Sequence, residues 1–449
     1  MSLLGLCRGM LPGLAGLAVA CLAALSSAQS SPRVIALEPA NESCEVDAAT
    51  TTKLVARFDQ DMDTSGWSLI GGGETFPKVT GGPRWRDART LEIDVELRPG
   101  QPYRMALNNA RAQRFRSKAG LALPSTSWIF DTLADPRPAA EEQRERNVRA
   151  LREARAAIDT LYSYRDLRIA NWDALWTDRE PELLARASDL AFAQQLSRAL
   201  APTRDVHVYL RHGERIFAVH VRETPSDFDF AAVQKLLDPK PIGKRAAVAR
   251  TQDRIGYLLI STWTSDLDLS AVETALDGLM GMRAIILDVR PNSGGNEILA
   301  RQVASRFVAT RADYSFHRTR DTNAESGFGP IQARSIEPHS EPQKRYTGKL
   351  VVLIGPTVMS SNESFVRMLQ HAGDCTLVGR RTFGSSGNPK PAELSNGTIL
   401  VLPSWQEVTA DGTVIEGLGV EPDIAVAADA IATPTSDPVL ERALELLRD

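Results

Sequence analysis

The chain has 449 residues, 43% hydrophobic and 24% charged, with a formal net charge of −4. That length and apolar content suit two or three domains with ample core. Lys and Arg are scattered along the chain, which argues against nucleic acid or an anionic membrane surface as the partner and leaves the oligomeric state open.

Residues 1–28 read as a signal peptide. After Arg8 and Gly9 comes "MLPGLAGLAVACLAALSSAQS", an apolar stretch ending in small residues, with cleavage expected after Ala28. A lipoprotein reading competes through Cys21 in "LAVAC", ranked second because apolar "LAAL" continues beyond it. Either way the mature chain is expected to be exported, to the periplasm or cell envelope. Of four cysteines, Cys7 and Cys21 fall in this segment, leaving Cys44 and Cys375 as two expected buried thiols in different domains. No Cys/His cluster has zinc spacing, so neither metal nor cofactor is expected.

Residues 32–133 read as all-β. In "TLEIDVELRPGQPYRMAL" Leu91, Ile93, Val95 and Leu97 alternate with polar residues, Pro99-Gly100 turns the chain, and Tyr103, Met105 and Leu107 resume. The pattern predicts a hairpin of half-buried strands. "ADPRPAA" (134–140) reads as a linker. Residues 134–205 are expected to be helical, with Val148, Leu151, Ala154, Ile158 and Leu161 on one face.

From 206 to about 430 strands alternate with helices. "RIGYLLISTW", "RAIILDVR" and "KLVVLIG" are strands, the last two continuously apolar as in sheets covered on both faces. "LSAVETALDGLM" is an amphipathic helix between the first two, so crossover connections are expected. Residues 431–449 end in a helix, capped by Asp437 with Pro438 at its first position.

Four stretches carry candidate chemistry. "LIGPTVMSSNESFVRML" runs a strand into two serines and a helix; Ser360-x-x-Glu363 predicts a capping box in which Glu363 reaches back. "LDVRPNSGGNE" runs a buried strand into Gly294-Gly295, where glycine allows N–H groups to face a ligand. "TRDVHVYL" places His207 at a strand start, and "VIEGLGVEPDI" places Glu416 among glycines. Taken singly, each has an ordinary structural reading as a cap, a turn, a core histidine or a solvated loop.

Together and in this order they resemble the serine peptidases that include the C-terminal-processing (tail-specific) proteases and the tricorn core protease, over about Leu200 to Ile424. The middle motif, "LIGPTVMSSNESFVRMLQHAGDCTLVGRRTFGSSG", is the most specific. The resemblance implies a ClpP/crotonase-like α/β core with repeated ββα units, a peptide or protein substrate, and Ser360 as nucleophile. Gly379 then stands 19 positions on, where the family has its glycine. Tail-specific proteases carry a lysine base 25 positions after the serine; here that place holds Ser385. The tricorn-like branch instead implies His207 as base and Glu416 as its support, although Val206 replaces the serine that precedes that histidine in tricorn. The oxyanion hole would be the N–H of Gly294 or Gly295 with that of Ser361. His207 and Ile255 lie only 48 positions apart, too few for an inserted PDZ domain of about ninety residues.

"LVARFDQDMD" and "SWIFDTL" resemble a bacterial Ig-like domain over about the first hundred mature residues. The expected architecture is therefore multidomain: an all-β Ig-like sandwich (32–133), a helical linker domain (134–205), an α/β serine peptidase core (206–430) and a C-terminal helix (431–449). The principal alternative is a non-catalytic binding protein for an apolar small molecule or peptide, since the family includes a retinoid-binding member on this fold. An envelope scaffold in which the sandwich does the work is a third.

Overall fold

The alternation at residues 90–107 does mark two strands, but they do not pair with each other. The computed structural model describes residues 30–225 and 227–448, so the expected signal segment, with Cys7 and Cys21, lies outside the described residues. Two compact units divide the chain at Asp135 and Pro136.

Among the described residues the first unit contains eight strands: β1 (Val34–Glu38), β2 (Ser43–Val46), β3 (Lys53–Phe58), β4 (Leu69–Ile70), β5 (Lys78–Asp87), β6 (Thr90–Glu96), β7 (Pro102–Leu107) and β8 (Thr126–Thr132). They form two four-stranded sheets, ordered β1-β3-β6-β5 and β2-β8-β7-β4. The predicted hairpin is thus corrected: β6 pairs with β3 and β5, whereas β7 pairs with β8 and β4. Pro99-Gly100 carries the chain from one sheet to the other, so Leu91, Ile93 and Val95 meet Tyr103, Met105 and Leu107 in one shared core. Alternation fixes which face of a strand is buried and leaves its partner open. The Tyr103 hydroxyl accepts the N–H of Arg98 at 2.7 Å and so pins this crossing.

The second unit begins with helices α1 (Ala140–Leu161), α2 (Arg165–Arg168), α3 (Trp172–Leu184) and α4 (Asp189–Leu200). They belong to the same compact unit as the sheets that follow. The reason is visible along α1, which buries Leu151, Ala154 and Ile158 as its pattern requires. Ser163, just beyond it, is tied to the carbonyls of Pro403 and Trp405 at 3.1 and 2.6 Å.

The remaining elements are β9 (Tyr209–His212), β10 (Arg215–Ala218), α5 (Phe230–Leu237), β11 (Lys240–Ile242), β12 (Ala246–Arg250), β13 (Ile255–Ile260), α6 (Leu269–Asp277), β14 (Ala284–Asp288), α7 (Glu297–Ala304), β15 (Ala312–Thr319), β16 (Gln332–Ile336), β17 (Lys349–Ile354), α8 (Ser361–Ala372), β18 (Cys375–Gly379), β19 (Pro389–Glu393), β20 (Ile399–Pro403), β21 (Trp405–Val408), β22 (Ile424–Ala425) and α9 (Pro438–Leu446). The central sheet runs β11-β12-β13-β14-β17-β18-β22, parallel from β13 to β22. Its apolar strands are covered on both faces, which explains their unbroken hydrophobic runs. Leu258, Ile285, Leu287, Val352 and Ile354 pack with α6, α7 and α8. Tyr257, Leu259, Ile286, Val351 and Leu353 pack with α5 and α9 on the other face. Smaller sheets β10-β9-β20-β19 and β16-β15-β21 complete the unit.

Past the carboxyl end of β14, Arg290 is fully buried. Its guanidinium bridges Asp288 (2.6 Å) and Asp437 (2.7 Å), the residue that also caps α9. The expected C-terminal helix is therefore present and anchored to the central sheet. Cys44 is buried and Cys375 half-buried, one in each unit, and neither is in a disulfide.

Candidate active site

Three loops meet beyond the carboxyl ends of adjacent parallel strands, where α/β sheets place their sites. Residues 289–296 follow β14, residues 355–360 follow β17, and residues 380–388 follow β18.

Ser360 holds an unusual backbone, φ 56° and ψ −131°, between β17 and α8. A non-glycine residue there is strained by about 1–3 kcal/mol and is kept only where surrounding contacts impose it. Those contacts are present. The N–H of Ser360 donates to Ser385 O at 2.8 Å, and its carbonyl accepts from Glu363 N and Ser364 N at 2.9 and 3.1 Å. Its hydroxyl makes no capping hydrogen bond. The predicted capping box is therefore corrected on both sides, because Glu363 does not reach back either. Buried Glu363 instead accepts from Thr382 Oγ1, Gly384 N (2.8 Å) and Ser385 N (2.9 Å), orienting the loop after β18. Burial raises its pKa to about 7, against the pull of those three donors.

The glycine pair serves two different ends. Gly294 approaches the serine so closely that a Cβ would lie 2.9 Å from Met359 O and 3.0 Å from Ser360 Cβ. Its own N–H donates to Asn292 Oδ1 at 2.8 Å, so of the two glycines it is not the open donor. Gly295, at φ 135°, abuts Trp263 O, and its N–H enters no hydrogen bond among the described residues. The N–H of Ser361, in the first turn of α8, is likewise open. Asn362 ties these pieces together from within the core. It accepts from Trp263 Nε1 at 2.9 Å and donates to Val289 O and Asn292 O at 3.0 and 2.8 Å. The sequence analysis did not single out Asn362.

His207 lies two residues before β9 and is buried. Asp205 accepts its backbone N–H at 2.9 Å and the Tyr162 hydroxyl at 2.9 Å. The imidazole Nδ1 sits 3.0 Å from Ser385 Oγ. Burial lowers the pKa of His207, Asp205 opposes that, and Arg168 adds to it. Glu416 does not bond the imidazole directly. Its Oε1 accepts from Ser385 Oγ (3.3 Å) and from Arg168 Nη2 (2.7 Å), and its Oε2 from Ser386 N (3.0 Å). Burial, with Asp205 nearby, raises its pKa to about 8 despite Arg168 and the Ser386 N–H.

Ser385 thus spans three of the predicted residues: its carbonyl holds Ser360, and its hydroxyl lies between His207 and Glu416. Ser360 Oγ and His207 are not hydrogen-bonded to each other. Sequence reasoning marked Ser385 only as the place of a missing lysine, and it passed over Arg168, which comes from the helical segment far upstream. The one available signal was the serine at that family position. A cleft of about 340 Å³ opens at Ser360, Ser361 and Gly295. A larger cavity, of about 420 Å³, is lined by Phe307, Tyr346 and Leu350 at the opposite end of β17, remote from these groups.

Comparison with known proteins bears on the family and the fold. Residues 254–426 match the model of peptidase family S41. The carboxyl-terminal-processing protease of Synechocystis is 26% identical over 225 residues, 49% of this chain and 50% of that protein. A Staphylococcus aureus protein named as a CtpA-like serine protease is 22% identical over 181 residues, 39% of this chain and 34% of its own. The chain thus spans about half or less of the length of these relatives. A solved protein of Parabacteroides merdae, proposed to be a peptidase, superposes with a TM-score of 0.57 at 23% identity, over 68% of this chain and 97% of that one. Mature CPAF does so at 0.50 and 14% identity, over 68% and 96%. These two likenesses show the fold. Over residues 254–426 the chain is therefore similar to peptidase family S41.

Proposed function

We propose that the protein is an exported serine peptidase in which Ser360 attacks the peptide carbonyl. The observation that carries this reading is the strained backbone of Ser360, which presents an uncapped hydroxyl at a helix N-terminus beside two open N–H groups. A strained serine on a strand-to-helix turn is what a nucleophile needs in order to stand clear of its own helix.

In this reading Ser385 donates to Glu416 and receives Nδ1–H of His207, which leaves Nε2 unprotonated as the base. Depression of the His207 pKa keeps the ring neutral at pH 7. Nε2 takes the Ser360 proton as Oγ bonds to the carbonyl carbon, and the N–H groups of Gly295 and Ser361 receive the oxyanion. The imidazolium then protonates the leaving amine, and water hydrolyses the acyl-enzyme by the reverse sequence. The serine–histidine hydrogen bond would form on substrate binding, since catalytic contacts are commonly long without substrate. At a pKa of about 8 Glu416 holds a proton over much of the neutral range. Its main contribution there is to orient Ser385.

Residues between His207 and Ile255 are occupied by β9, β10, α5, β11 and β12. That supports substrate choice in the cleft itself rather than by an inserted tail-reading domain. Export rests on the apolar segment before Ala28. The paired sheets and the Tyr103 hydroxyl on Arg98 N support an Ig-like reading of the first unit.

One observation favours a second reading, a non-catalytic binding protein: Ser360 and His207 are not in contact. Labelling of the purified protein with a fluorophosphonate, beside Ser360→Ala and His207→Ala, separates the two. Labelling lost in both variants is the expected result. A folded wild type that takes no label would leave the binding protein as the better account.

A further inference from the structure

The cleft beside Ser360 has an unusual polar balance. Most of its wall is already committed. Ser364 Oγ accepts from Arg334 at 3.2 Å, and Ser386 Oγ accepts from Trp405 Nε1 at 3.3 Å. Glu297 is held by Arg334 (2.5 Å), Arg301 (3.0 Å) and the Tyr314 hydroxyl, so its charge is spent and offers little to a cationic ligand. Arg334 is in turn paired with Glu297 and Glu407, so it offers little to an anion. Among the buried side-chain polar atoms of this wall, one is left over. Ser361 lines the cleft, the residue is only 6% exposed, and its buried hydroxyl has no hydrogen-bond partner. A buried hydroxyl without a partner carries an uncompensated desolvation cost, and a ligand that bonds it recovers that cost.

Gly295 and Ser361 supply the two open N–H groups and also form part of this wall. A carbonyl held by those N–H groups therefore brings its own residue's side chain to the wall behind which Ser361 Oγ lies unpaired. We propose that the cleft is the subsite for the residue on the acyl side of the scissile bond, and that it selects an uncharged side chain carrying a hydroxyl or amide over an apolar one. This rests on Ser360 being the nucleophile. A site built to hydrogen-bond a side chain discriminates against the isostere lacking that group, because its own polar atom is then left unpaired.

Peptidyl diphenyl phosphonates that differ only in the acyl-side residue test this directly. Threonine and its isostere valine are compared, with leucine as a larger apolar control. The serine attacks phosphorus and phenol leaves, so inactivation rates report the subsite. The wild type is expected to react at least tenfold faster with the threonine reagent than with the valine one. Ser361→Ala should bring the ratio within threefold, whereas Ser361→Thr, which keeps a hydroxyl, should retain a preference. A wild type that favours valine or leucine, or a ratio unchanged in Ser361→Ala, would overturn the proposal. If the wild type takes a fluorophosphonate yet prefers valine, only the subsite is wrong. If it is inert to both reagent classes, the nucleophile assignment falls and the subsite with it.

Discussion

The N–H of Ser360 donates to the carbonyl of Ser385 at 2.8 Å, so the turn after β17 and the loop after β18 are set as one piece. The side chain of the same Ser385 meets His207 at 3.0 Å. A change in that side chain should therefore be felt at His207 while the main-chain bond to Ser360 is left undisturbed.

Ser385→Ala should slow fluorophosphonate labelling about 10- to 100-fold, less than the ~10²–10⁴ tied to a general base itself. Ser385→Thr, which keeps the hydroxyl, should restore part of the rate. An alanine variant that labels at the wild-type rate would remove Ser385 from the arrangement.

The labelling rate should climb with pH in two steps. The first reflects deprotonation of His207 and lies below pH 6.5, because burial depresses that pKa. The second lies near pH 8, where Glu416 ionises and begins to favour the imidazolium. Glu416→Gln should abolish the upper step and leave the lower one; a profile with the upper step intact in that variant would contradict the assignment.

Stability should fall as pH rises from 6.5 to 8.5. Folded Glu416, at about 8, and Glu363, at about 7, keep protons that the unfolded chain has already lost near its ordinary carboxyl value of 4.5. Raising pH through the folded values therefore favours the unfolded state. His207, depressed when folded, opposes this trend only at the low end of the window, where the unfolded imidazole is still losing its proton. Urea midpoints at the two pH values measure the slope, which Glu416→Gln should flatten. A wild-type midpoint that rises over this range would count against both buried carboxyls.

Asn362→Ala should cost about 2–4 kcal/mol. It leaves Trp263 Nε1 and the carbonyls of Val289 and Asn292 without their partner in a fully buried place. Equilibrium unfolding gives the number, and a loss under 1 kcal/mol would show that water replaces the amide.

The central strands were legible because a sheet covered on both faces must be apolar at every position, as in "AIILD" of β14. Helix α9 was legible from Asp437-Pro438. The β6–β7 relationship was not, since Leu91 to Leu107 obeys the same alternation whether the strands pair or face each other across a core. Ser360 was read as a cap because Ser-x-x-Glu carries no record of backbone torsion. Its φ of 56° is imposed by Ser385 and by the loop at Gly294, both distant in sequence. The histidine and glutamate could be named from a resemblance, but the hydroxyl between them depends on where the loop after β18 turns.

Arg290 has a further consequence. Its guanidinium is sealed beneath the loop that carries Gly294 and Gly295, and one of its two counter-charges, Asp437, belongs to the cap of α9. The chemistry at the mouth is thus underwritten from behind by the last helix. Detaching α9 would leave Arg290 paired with Asp288 alone and strip two acceptors from a fully buried guanidinium four positions before Gly294, a defect of about 1–3 kcal/mol. Clipping the chain ahead of Asp437 should therefore silence Ser360, although α9 itself supplies no group to the cleft.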